Sequence, residues 1–112
     1  QKVQRKQLAK NKLNKISYMA DIQNIFTGVK TKNEWIITAS KNNNNLQHYL
    51  AKLAINNSYA YNYSIHIDIN PMKNTFKVSS LFLKRTQNFK DKDNAYNFIT
   101  CLINLLDIAS NE

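Results

Sequence analysis

From Tyr59 to Ile69 the chain alternates without a break: Tyr59, Tyr61, Tyr63, Ile65, Ile67 and Ile69 are separated by Ala60, Asn62, Ser64, His66 and Asp68. Successive side chains of a β-strand point to opposite faces, so this pattern describes a strand with one apolar and one polar face. Such a strand commits the chain to a sheet that is covered on one side. Asn70, Pro71, Met72, Lys73 and Asn74 supply turn residues, and Thr75 to Arg85 follows with Phe76, Val78 and Phe82 on one face and Leu81 and Leu83 on the other. The spacing predicts an antiparallel hairpin over 59–69 and 75–85.

The flanks predict helices and one more strand. Ala9, Leu13, Ile16 and Ala20 recur at helical spacing, widened by Met19, Ile22 and Phe26, which predicts an amphipathic helix over about 2–26 with Gly28 as its stop. An extra strand near Ile25 to Lys30 is an alternative for the end of this segment. Trp35, Ile36, Ile37 and Thr38 suit a short strand over 34–40. Leu46, Tyr49, Leu50, Leu53 and Ala54 fall at i, i+3, i+4, i+7 and i+8, predicting a second helix capped by Asn44 or Asn45. A last helix, capped by Asp91 or Asp93, carries the stripe Ala95, Phe98, Ile99, Leu102, Leu105, Leu106 and Ala109.

At 112 residues the chain has room for one core. The expectation is a single α+β domain over 1–112: an antiparallel sheet of about three to four strands, including the hairpin, packed against two or three helices. The basic first helix is able to extend from it. The stretch from Asn45 to Leu106 resembles double-stranded-RNA-binding domains and ribosome-associated hibernation factors in order of elements only. The glycine- and lysine-containing loop that precedes the last helix of the former is missing.

Composition removes several chemistries. Gly28 and Pro71 are the only residues of their types, which leaves no glycine-rich phosphate loop and no proline-rich ligand. Cys101 stands alone, so neither an intramolecular disulfide nor a cysteine zinc cluster can form, and a small buried hydrophobe is the expected role. Ser64, His66 and Asp68 are the residue types of a nucleophilic triad, but neighbours on one strand face do not converge as a triad must. His48 and His66 lack a third ligand at a sensible spacing, so no metal and no cofactor is expected, and no residue is given a catalytic role. Tyr59, Tyr61 and Tyr63 could stack bases, but their stripe continues into isoleucines and reads as core.

The formal charge of +9 is the main functional signal. Lysine supplies all of the sixteen basic residues except Arg5 and Arg85, and the abundance of Asn, Lys and Ile is also what an A/T-rich coding sequence produces. The distribution is uneven: residues 1–33 carry eight cations against Asp21, whereas 90–112 carry two against four acids. The expectation is a non-enzymatic module that contacts a nucleic-acid backbone, RNA or DNA, through Lys2, Arg5, Lys6, Lys10, Lys12 and Lys15 of the first helix and Lys73, Lys77, Lys84 and Arg85 of the hairpin. The alternative is a protein-interaction or assembly subunit, with a protein partner or a second copy docking on the last helix. There Tyr96 and Ile103, and Cys101 and Ile108, are each seven apart and fall off the core stripe; Tyr96, Ile103 and Ile108 are the expected interface.

The apolar run from Phe98 to Ala109 is broken by Asn104 and Asp107 and falls short of the roughly 20 residues of a membrane span. A start at Gln1 rather than Met implies that an upstream part was removed. Simple trimming would leave the protein cytoplasmic, and loss of a signal or anchor would place it outside the cytoplasm.

Overall fold

The computed structural model describes residues 18–41, 46–55 and 58–111, the side chains of 41, 55 and 58–62 excepted. Residues 18–28 are helical (α1). Five strands follow: β1 (Trp35–Lys41), β2 (Gln47–Ile55), β3 (Ser58–Asn70), β4 (Thr75–Ser79) and β5 (Gln87–Phe89). The last element is the helix α2 (Lys92–Ser110). Every neighbouring strand pair is antiparallel and the sheet order is the chain order, a meander. The architecture is α+β, as the sequence predicts, but with a larger sheet.

One helix expected from the sequence is a strand. Residues 46–54 satisfy a helical spacing, yet β2 buries Gln47, Tyr49, Ala51 and Leu53, which is period two. The alternation is hidden because Gln47, an amide, occupies a core position. It is 7% exposed, and its Oε1 accepts a hydrogen bond of 2.6 Å from the buried Tyr49 hydroxyl, so each polar group satisfies the other. A nine-residue segment is also too short to hold a helix by itself, whereas as a strand it has β1 on one side and β3 on the other. The element order likened to double-stranded-RNA-binding domains therefore does not occur. The expected cap residues Asn44 and Asn45 lie outside the described residues.

The core lies between one sheet face and both helices. Ile65, Ile67 and Ile69 of β3 are fully buried, with Tyr49 and Ala51 from β2 and Phe76 and Val78 from β4 beside them. Ile22 and Phe26 of α1 and Ala95, Ile99, Leu102, Ile103 and Leu106 of α2 cover them. Helix α2 is also tied to α1, where the Tyr96 hydroxyl donates to Asp21 Oδ2 at 3.0 Å, and to the loop after α1, where the Lys32 backbone N–H donates to Asp107 Oδ1 at 3.1 Å. Burial, followed by the Asp21 carboxylate, pushes the Tyr96 phenol far above its ordinary value, so it stays a donor.

Turn chemistry sets the hairpin. Asn70 Oδ1 accepts from the backbone N–H groups of Met72 (3.1 Å) and Lys73 (3.2 Å), and Asn74 takes a left-handed φ of 52°, which Asn tolerates better than most residues. Asn70 is thereby placed opposite Thr75. The second arm is shorter than predicted, because β4 ends at Ser79 and the Leu83 N–H turns back to the Ser80 carbonyl at 3.0 Å. Phe82 thus does not continue the face of Phe76 and Val78; it is 46% exposed and stacks on Tyr63 with ring centroids 5.5 Å apart. The long alternation is interrupted as well: the β2–β3 register shifts between Lys52 and Leu53, which face Ser64 and Ala60 respectively. No strand forms near Ile25 to Lys30, where α1 runs on to residue 28.

Asp91 is the N-cap of α2, its carboxylate accepting from the Asp93 N–H at 3.3 Å, with Asp93 adding negative charge in the first turn. Of the predicted stripe, Leu105 is 53% exposed, and Ile103 is buried in its place. Cys101 is exposed rather than buried. No helix among the described residues is long and apolar enough to cross a membrane.

Truncation of Ile67 to alanine, at the centre of the sheet, is expected to lower unfolding free energy by about 2–5 kcal/mol. Asp91→Ala should cost about 1 kcal/mol through the lost cap. Urea unfolding followed by circular dichroism measures both.

Candidate functional site

The helices cover one face of the sheet, and the register arranges the side chains of the other face in rows. Ser40, His48, Asp68, Lys77 and Asn88 form one row across all five strands. Thr38, Leu50, His66 and Ser79 form the next, and Ile36, Lys52 and Ser64 a third. Antiparallel partners share a face, so these rows follow from the pairing alone.

The chemistry concentrates where β2 meets β3. His48 Nδ1 and Asp68 Oδ1 are 2.5 Å apart, with side chains 38% and 51% exposed. The His48 and His66 rings lie 5.4 Å apart, centroid to centroid. His48 reaches this cluster only because residues 47–55 are a strand; on a helix it would have been elsewhere. A cleft of about 510 Å³ opens beside the pair, lined by Ser40, His48, Asp68, Lys73, Thr75 and Lys77 among others. Lys73 comes from the β3–β4 turn and Lys77 from β4, both exposed. Asp68 faces Lys77 directly in the register, yet its carboxylate bonds His48. Among the described residues that pair is the ion pair within 4.0 Å, so Lys73, Lys77, Lys84 and Arg85 have no described carboxylate in reach.

The predicted site residues separate accordingly. Lys73 and Lys77 come together in the cleft, while Lys84 and Arg85 are exposed in the loop between β4 and β5. Lys2, Arg5, Lys6, Lys10, Lys12 and Lys15 lie outside the described residues. Of the expected interface on α2, Ile108 is 61% exposed, but Ile103 is wholly buried against the sheet and Tyr96 is half-buried and bonded to Asp21. The outward face of α2 is instead Cys101, Leu105 and Ile108, at helical i, i+4 and i+7. The triad residue types are not assembled: Ser64 is 1% exposed, and the Asp68 carboxylate engages His48. No group of three potential metal ligands occurs among the described residues. The side chains of Tyr59 and Tyr61 lie outside the described ones, and Tyr63 packs on the edge of the core. The residues missed by sequence reasoning are Ser40, Thr75 and Lys52; the β1–β2 pairing places Ser40, the β2–β3 pairing Lys52 and the β3–β4 pairing Thr75, and the first two are invisible in a helical reading of 46–54.

Burial holds the His66 imidazole below its ordinary 6.5, reinforced by His48 and Lys52 and opposed by Asp68. The folded state therefore prefers neutral His66. Its contribution to stability is complete above the unfolded value of about 6.5 and is lost as the pH falls through that value toward the lower folded one. Thermal scans should show a midpoint that drops on acidification below about pH 6.5, and the drop should be smaller in His66→Gln.

No family model matches the chain, and no curated protein or solved structure matches it either, so the chemistry of the face has to come from its own side chains.

Proposed function

We propose that the protein is a non-enzymatic module that binds the phosphate backbone of a nucleic acid, with Lys73 and Lys77 at this cleft as its described contacts. The observation that carries this is that two exposed lysines line one cleft with no described carboxylate within 4.0 Å of either, while Asp68 of the same cleft bonds His48. Phosphate oxygens suit such a pair of lysines. Lysine neutralises phosphate as a point charge and gives a contact that depends on salt more than on sequence. Thr75 and Ser40 add hydroxyl groups to the same cleft, of the kind that hydrogen-bond phosphate or sugar. Lys84 and Arg85 in the next loop are exposed as well, and the sequence of residues 1–15 adds six further cations.

The expected behaviour is an affinity for RNA or DNA that falls linearly on logarithmic axes as salt rises. Each phosphate contact contributes roughly 0.9 to the slope for duplex DNA, so the double substitution Lys73→Gln with Lys77→Gln should flatten the slope by about 2. Fluorescence anisotropy with a labelled oligonucleotide reads this directly. Binding that ignores salt, or a slope unmoved by the double substitution, removes the proposal.

A second reading, a protein-interaction subunit, rests on Leu105 and Ile108, which are 53% and 61% exposed on the outward face of α2. Leu105→Asp with Ile108→Asp would then shift the sedimentation mass or partner profile while leaving the unfolding midpoint in place.

A further inference from the structure

The two outer edges of the sheet are unlike. Strand β5 is three residues long and is followed by Lys90, a short and charged edge that offers little to another strand. Strand β1 is seven residues long, contains no proline, and keeps an unbroken register with β2 from Trp35 to Lys41. Among the described residues it has a neighbour on one side only. The Ala54 N–H donates to the Glu34 carbonyl at 2.9 Å, and antiparallel ladders alternate. It follows that Ile36, Thr38 and Ser40 aim their backbone groups at β2, while Trp35, Ile37 and Ala39 present theirs to the free edge.

A groove of about 830 Å³ runs beside this edge, between β1 and the end of α1. Phe26, Val29, Trp35 and Ile37 give it apolar walls, and Lys30 and Lys32 stand at the end where β1 begins. Cations thus flank the start of the open edge. The acids nearby are Glu34, in the groove, and Asp107, whose carboxylate accepts from the Lys32 backbone N–H.

We propose that the free edge of β1 and its groove bind an extended peptide segment of another protein as an added strand. The segment carries an apolar residue facing Trp35 and Ile37 and an acidic residue at the end beside Lys30 and Lys32. The free backbone donors and acceptors call for a strand rather than a helix. The apolar walls take alternate side chains of that strand, and Lys30 and Lys32 select an acidic end over a basic one.

The test uses the full chain and a capped probe peptide, Asp-Ile-Thr-Ile-Thr-Ile-Asp. Titration should blue-shift the fluorescence of Trp35, the single tryptophan, and move the amide resonances of Trp35, Ile37 and Ala39, with a Kd below about 1 mM. Ala39→Pro removes one outward N–H without touching the ladder to β2 and should weaken binding by about tenfold or more. Should that variant not fold, N-methylation of alternate peptide amides achieves the same loss from the other side. The same peptide with lysine in place of both aspartates should bind more weakly. The proposal is overturned by no resonance shift along β1 at about 1 mM peptide. It is equally overturned by binding indifferent to N-methylation, by a lysine peptide that binds as well, or by a wild-type dimer that Ala39→Pro abolishes, which would assign the edge to a second copy.

Discussion

The burial of Ile65, Ile67 and Ile69 beneath two helices is the constraint from which the rest of the molecule follows. Alternate residues of β3 cannot share a face with them, so Ser64, His66 and Asp68 are committed to the opposite side of the sheet. Both helices are apolar on one stripe and can be satisfied only by the same sheet face; Tyr96 with Asp21 joins them there, and Lys32 with Asp107 ties α2 to the loop after α1. A one-sided sheet results. Its other face is mainly polar, with Ile36 and Leu50 as apolar residues in its rows.

Function is then a matter of what that face and the sheet edges present. Asp68 has two candidates for its carboxylate, Lys77 opposite it on β4 and His48 opposite it on β2, and it bonds the histidine. That choice leaves the neighbouring ammonium groups to solvent or to a ligand. The same side chain therefore organises the cleft, in which two lysines stand with one carboxylate. On the other side of the molecule, the groove at β1 combines apolar walls with backbone groups that have no described partner, a different kind of surface that asks for a different kind of ligand.

Much of the fold was legible residue by residue. The turn at Asn70 to Asn74, the cap at Asp91, the end of α1 at residue 28 and the strands at Trp35 and Ile65 all follow from local chemistry that neighbours in the chain supply. The misreadings share one cause. Gln47 stands at a core position and breaks the apolar alternation of β2, and the Tyr49 hydroxyl that makes this tolerable is a tertiary contact. Ile103 and Leu105 exchange roles on α2 because the sheet and α1, not the helix period, decide which flank of the stripe is covered.

The sequence by itself determined that the chain makes an antiparallel sheet with one apolar face, that amphipathic helices lie on it, and that cations outnumber acids, since alternation, spacing and charge are properties of neighbouring residues. Only the tertiary structure decided which residues meet: His48 with Asp68, Lys73 with Lys77 in one cleft, and a bare β1 edge beside α1. Those juxtapositions depend on strand register and on which element lies next to which. Register is settled by pairing between segments far apart in the chain, and no local pattern encodes it.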